Sequence, residues 1–344
     1  MANDNHRLSD TRYLTGIRGL AVLIVLLGHI SHTGAHFIPG IDLRGNAKAG
    51  VWLFFILSAH LLTAKLIDEI RSLGTSRALL RYSVRRVFRI MPTYIFLLAC
   101  LWLLSQMTGE AAVRHALLIQ GDQHLWTIPV EMKFYLLLPF FVLALLLVDD
   151  ARRWSLAAFF VLFGLAMYFA CDPRKIAENT ISLFNYLPFF AVGALLAVLP
   201  SSRLQRRYGW VGIIALVGLS PSFFTLLTGQ DRLESFEWAW LSALAWGLVI
   251  YGAQGGMLRP LLNARPITFL GEISFSLYLV HFAIIFAIMD NFPPSILTGA
   301  FMVAASIVIA YLVFKCVEEP TRDLGYRLTK TRPCSRAIAE SAIR

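Results

Sequence analysis

The chain has 344 residues, 57% hydrophobic and only 15% charged, with a mean hydropathy of +0.65. Soluble domains carry about 25% charged residues, so this composition excludes an ordinary water-solvated fold and fits a chain surrounded mostly by lipid. The net charge of +10 sits in short clusters between apolar runs, not in a basic domain with interleaved aromatics, which argues for membrane topology and against nucleic acid.

A crossing helix needs about 20 mostly apolar residues. Ten such spans are predicted, at roughly 14–34, 48–68, 91–108, 124–148, 154–171, 181–200, 209–228, 236–252, 267–289 and 295–316. The first carries Arg18 inside it and lacks a small-residue cleavage site, so it reads as a retained helix and not a removed signal peptide. With the N-terminus placed in the cytoplasm, 21 basic residues fall on cytoplasmic segments and 6 on outer ones. A miscounted helix would scramble that alternation, so an even number of spans with both termini cytoplasmic is predicted. The expected organisation is an all-α polytopic membrane protein. Residues 1–13 form a cytoplasmic segment, 14–316 a single membrane domain, and 317–344 a basic cytoplasmic tail. The scattered cysteines (Cys100, Cys171, Cys316, Cys334) contain no CxxC and imply neither disulfides nor a metal site.

Ionisable side chains inside a membrane are costly and mark candidate function. In the first span Arg18 and His29 are eleven residues apart. They share one helix face, about 16 Å apart along the axis. Arg18 also suits a snorkelling anchor, but His29 is too deep for that, and imidazole is the commonest general base for a hydroxyl. In the fourth span Glu131 and Lys133 fall about two turns inside the outer boundary. A carboxylate there needs a partner. His29, at similar depth, is the first candidate, a pairing that would orient the imidazole as the third group of a hydrolase triad does. An ion pair with Lys133 or an arginine is the plainer alternative.

The segment after the second span, SRALLRYSVRRVFRIMPTY, places Arg77, Arg81, Arg85, Arg86 and Arg89 mostly at three- and four-residue spacing. Topogenic charge and anionic lipid would explain it. The sharper expectation is phosphate recognition by Arg86 and Arg89, since the guanidinium fork matches phosphate oxygens. That would suit coenzyme A arriving from the cytoplasm. His60 and His281 stand alone in their spans and read as packed, hydrogen-bonded residues. Trp126, Trp238 and Trp240 read as an interfacial belt.

Six segments in order resemble the type-3 membrane acyltransferase family: IRGLAVLIVLLGH (17–29), AGVWLFFILSAHLLT (49–63), RRVFRIMP (85–92), HLWTIPVEMKFYLLLP (124–139), LGEISFSLYLVH (270–281) and VEEP (317–320). The resemblance implies about ten helices in a bacterial inner membrane. It also implies an acyl-CoA donor, most simply acetyl-CoA, and an acceptor reached from the outer face. It carries the arginine–histidine motif onto Arg18 and His29, the arginine pair onto Arg86 and Arg89, and the tryptophan–glutamate segment onto Trp126 and Glu131. Ser58, Ser276, Tyr278, His281 and Glu318 also fall on motif positions. The chain departs from the pattern at Trp52, where aspartate is usual, and at Ala59–His60, where glycine–phenylalanine is usual, so a changed pocket is expected there. No hydrolase-type domain is seen after the last span, and the membrane body is expected to act unaided.

The expected function is O-acylation of a glycan or glycolipid hydroxyl, with His29 and Glu131 catalytic and Arg18, Arg86 and Arg89 holding the donor. Ser58, Trp126, Ser276, Tyr278 and His281 are pocket candidates. No permanent cofactor or metal is expected. A polytopic transporter is the alternative, but no inverted repeat is evident and the arginine cluster would be left without a role. A degenerate family member acting as an assembly partner is a third possibility.

Overall fold

Glycine at position 74 decides how the second and third spans connect. Its φ of 81° lies in the left-handed region that glycine adopts without strain, and it turns one long helix into the next. α1 (Ala2–His32) and α2 (Ala47–Leu73) precede that turn, and α3 (Thr75–Leu103) follows it at once. The arginine-rich segment between the second and third predicted spans is therefore the first half of α3. Arginine, alanine and leucine are strong helix formers, and Ala78, Tyr82 and Arg85, spaced four and three apart, form its buried stripe.

The computed structural model describes residues 2–37, 42–148, 150–199, 205–253 and 258–330. The chain continues through α4 (Gly109–Ala116), α5 (Thr127–Leu147), α6 (Asp150–Ala170) and α7 (Leu183–Val198). Next come α8 (Gln205–Gly218), α9 (Pro221–Thr228), α10 (Ala239–Ala253), α11 (Leu258–Leu262) and α12 (Arg265–Glu272). α13 (Ser274–Met289), α14 (Ile296–Val313) and α15 (Glu319–Leu328) complete it. Among the described residues the protein is all-α, 82% helical, with no strand.

Among the described residues six helical runs are long and apolar enough to cross a membrane: α1 from Thr11, α2, α3, α5, α6 from Arg152, and the run Ile296–Leu328. Two bent pairs bring the total to eight, α8 with α9 at 61° and α12 with α13 at 78°. The other two predicted spans are α7, with 16 residues, and α10, with 15. At 1.5 Å per residue these are about 24 and 22 Å long, short of an about 30 Å hydrocarbon core. Both are interior helices, α7 between α2 and α6, and α10 against α8 and α7. Arg203, Arg206 and Arg207, together with everything beyond Lys330, contributed to the charge count but have side chains outside the described residues.

The predicted tail begins as helix. α14 runs through a π-helical turn at Phe314–Glu318 into α15, which packs against α3. The Arg85 guanidinium lies 4.6 Å from the centre of the Tyr326 ring. It donates to Thr329 Oγ1 at 2.9 Å and to Glu69 Oε1 at 2.8 Å.

Candidate functional site

Helices α1, α2, α3, α5 and α13 enclose a cavity of about 450 Å³. α2 lines it from Val51 to Asp68, which at 1.5 Å per residue makes a slot about 25 Å long. Arg18, Arg86, Arg89 and Lys65 line it together with Glu131 and Asp68, so cations exceed carboxylates by two. Most of the remaining wall is apolar, including Phe54, Phe55 and Leu61. Thr127 and Tyr278 also line it. A slot with an apolar lining and an excess of cations suits an extended ligand that carries anionic groups.

Arg18 is set by backbone-to-backbone packing. A Cβ on Gly19 would overlap the Ile267 carbonyl, and one on Gly271 would overlap that of Thr15. These two glycines let α1 and α12 touch. That contact brings Arg18 to the sharp α12–α13 joint, where Nη2 donates to Ser274 Oγ at 3.0 Å. Ser274 Oγ in turn donates to the Gly271 carbonyl at 2.9 Å.

The start of α13 is held from another helix. Ile273 supplies no side-chain cap, so the first N–H groups of α13 need an outside acceptor. Glu318, 1% exposed, provides it. Its Oε2 accepts from Ser276 N at 3.2 Å and from Ser276 Oγ at 2.6 Å. A carboxylate is the favoured partner for a helix N-terminus. Ser276 thus faces Glu318 and does not line the slot. A second cavity of about 550 Å³ lies between α1, α12 and α14, and Arg18 and Arg89 line both.

Glu131 and His29 are not partners. Glu131 accepts from Ser58 Oγ at 3.4 Å and from Tyr135 Oη at 3.1 Å. Lys133 points elsewhere, donating to the Ile181 carbonyl at 2.7 Å. His29 is half-buried in the last turn of α1. Its Nδ1 lies 2.9 Å from His281 Nε2. His124, in the turn before α5, packs its ring 5.2 Å from that of His281. These three imidazoles sit beyond the slot, with Tyr278 between. The Tyr278 ring lines the slot and lies 5.8 Å from the His281 ring. The Tyr278 hydroxyl donates to the His124 carbonyl at 2.5 Å and accepts from Thr127 Oγ1 at 3.1 Å. The expected grouping therefore divides in two: Arg18, Arg86, Arg89, Glu131, Ser58 and Tyr278 around the slot, and His29 with His281 in the adjoining group. Among the described residues no three His, Cys, Asp or Glu side chains converge as metal ligands.

The acyltransferase-domain family model matches residues 11–315, a stretch that contains all these groups except Glu318. The chain belongs to that acyltransferase family. Among curated members, it is 24% identical to the O-acetyltransferase OatA of Staphylococcus aureus strain NCTC 8325 / PS 47 over 370 residues. It matches OatA of strain MRSA252 equally. Each alignment covers 93% of this chain and 59% of the relative, so the chain spans less than two thirds of these relatives' length. No solved structure matches it.

Two departures from the family pattern leave the slot intact. Trp52 turns away from it and stacks on Phe189 of α7, ring centres 5.1 Å apart. Gly193 of α7 packs against the Ile56 carbonyl and the Ala59 Cβ. Neither these two nor His60 lines the slot, so the altered motif belongs to the α2–α7 packing. Trp126 is also a packing residue, 3% exposed and stacked on Tyr186 at 4.6 Å. Sequence reasoning missed Lys65, Tyr135, Ser274 and His124. Tyr135 alone had a local signal, four residues after Glu131 on one helix face.

Proposed function

We propose that this acyltransferase moves an acyl group, most simply acetyl, from cytoplasmic acyl-CoA to a hydroxyl of a glycan or glycolipid on the outer side of a bacterial inner membrane. The observation that carries this reading is the cationic slot, lined by Arg18, Arg86, Arg89 and Lys65 from three helices. Its Lys65–Asp68 end adjoins the basic start of α3, the part that the positive-inside rule assigns to the cytoplasm together with both termini. The name O-acetyltransferase borne by the OatA relatives supports acetyl as the group.

On this reading Arg86, Arg89 and Lys65 hold the phosphates of the donor, and its arm runs along the apolar wall of α2. Arg18, fixed on Ser274, places the arm. Glu131, fixed by Ser58 and Tyr135, balances the guanidiniums so that they stay oriented. The thioester arrives beside Tyr278, and the acceptor enters from the opposite side, where the last turn of α1 carries His29. His29 takes the hydroxyl proton as the oxygen bonds to the acyl carbon. The carbon–sulfur bond then breaks, and the proton passes to the thiolate.

The test is transfer of label from radiolabelled acetyl-CoA to a lipid-linked sugar in membranes containing the protein. His29→Ala should lower transfer by about 10²–10⁴-fold, the usual contribution of a general base. Full labelling by that variant would remove the base assignment. A protein that moved the sugar across vesicles without acyl-CoA would be a transporter instead.

A further inference from the structure

The hydrogen bonds around His281 determine which nitrogen of His29 is free to act. His281 Nδ1 faces two oxygens, the Tyr278 carbonyl at 2.7 Å and the Leu277 carbonyl at 3.2 Å. A carbonyl only accepts, so His281 carries its hydrogen on Nδ1, and in the neutral ring Nε2 holds the lone pair. That lone pair lies 2.9 Å from His29 Nδ1. One hydrogen must lie between them, and it belongs to His29. Its Nδ1–H donates to His281, and its Nε2 is left unprotonated.

We propose that His281 is a positioning residue that locks His29 in the Nδ1–H tautomer, making Nε2 the atom that removes the acceptor's proton. This rests on the acyl-transfer reading given above. His281 itself is fully buried and does not line the slot. It acts through its neighbour, as an orienting carboxylate does for the histidine of a hydrolase. Two further features hold the pair in register. The rings of His29 and His281 lie 5.1 Å apart and only 25° from parallel, and Phe282 meets the edge of His29 at 5.2 Å. His124 completes the surroundings with its own Nε2–H on the Leu279 carbonyl at 2.9 Å, so it does not compete for the His281 lone pair.

In the reaction, the hydroxyl proton moves to His29 Nε2 while the oxygen bonds to the acyl carbon. The imidazolium so formed keeps its Nδ1–H on His281. When the carbon–sulfur bond breaks, the Nε2 proton goes to the departing sulfur, and His29 returns to its starting tautomer. Nothing is oxidised or reduced.

The test compares His281→Phe, which removes the acceptor, with His281→Gln, whose amide oxygen can stand where Nε2 stood. Acetyl transfer in membranes should show kcat about 100-fold lower for the phenylalanine variant, with KM for acetyl-CoA within about twofold. Glutamine should restore at least about tenfold of that loss. ¹⁵N-histidine NMR of the purified protein, with the His29 signals assigned by their loss in His29→Gln, should show Nδ1 protonated in the native chain. Nε2 protonation of His29 there, or a phenylalanine variant with near-native kcat, would overturn the proposal. So would equal loss in both variants when both melt as the native protein does. If His29→Ala retained full transfer, the acyl-transfer base itself would be wrong. If that variant were inactive while His281→Phe worked normally, only the role given to His281 would fall.

Discussion

Arg18 and Ser274 stand 256 residues apart in the chain and 3.0 Å apart in space. That bond ties the first membrane helix to the sharper of the two bent helix pairs, α12 with α13. Substituting Ser274 by Ala removes one acceptor and should cost less than Arg18→Ala, which also removes the charge. The two changes should be non-additive, with a coupling of about 1 kcal/mol in kcat/KM. A double-mutant cycle on acetyl transfer measures it. Strict additivity would mean that Arg18 works without the joint.

Neighbouring arginines on α3 should separate cleanly. Arg86 and Arg89 line the slot, whereas Arg85 turns to Glu69 and Thr329. Arg86→Ala or Arg89→Ala should raise KM for acetyl-CoA by about 10-fold, the worth of one charged hydrogen bond. Arg85→Ala should leave KM alone and destabilise the protein by about 3 kcal/mol, because Glu69 loses its partner in a largely buried pair. Steady-state kinetics and thermal unfolding in detergent distinguish the two outcomes.

The seam between α1 and α12 tolerates no side chain. Gly271→Ala would drive a methyl group into the Thr15 carbonyl and should destabilise the protein by about 1–3 kcal/mol. Its melting temperature should fall well below that of Gly74→Ala. A Cβ at Gly74 meets nothing within 4 Å, and only the cost of a positive φ remains there. Equal melting temperatures would show that the helices can separate freely.

Between α1 and α2, Asp42 bonds both Arg44 and Arg232. Partial burial works against the ionised carboxylate. The Arg44 backbone N–H and the two guanidiniums outweigh it and hold Asp42 below the usual carboxylate range. A depressed folded-state pKa contributes stability that is present above the unfolded value of about 4 and is lost as pH falls below it. Native protein should therefore lose more melting temperature than Asp42→Asn between pH 6 and about pH 3. Parallel curves would show that the ion pairs contribute nothing.

The apolar runs were legible because lipid demands length and hydropathy of every crossing segment. The bends were not. A window average over 267–289 sees one apolar stretch and cannot register a 78° turn at Ile273, since the turn is made by contacts of Gly271 and Glu318 with other helices. The arginine cluster was legible as charge, yet only packing shows that Arg85 belongs to α15 and Arg86 to the slot. The His29–Glu131 pairing was argued from depth alone, and depth says nothing of azimuth. The histidine group draws on α1, the turn before α5 and α13, and no spacing within one segment announces it.

The π-helical turn at Phe314–Glu318 winds one more residue into the last long helix than an α-helix would hold. Each residue of an α-helix advances the azimuth by about 100°. Removing a single residue just ahead of the turn would thus spare the length and greasiness of this segment while swinging Glu318 off the start of α13. The chain keeps an irregular coil here as a register mark, and a helix made more regular would be a worse anchor for the bend that holds Arg18.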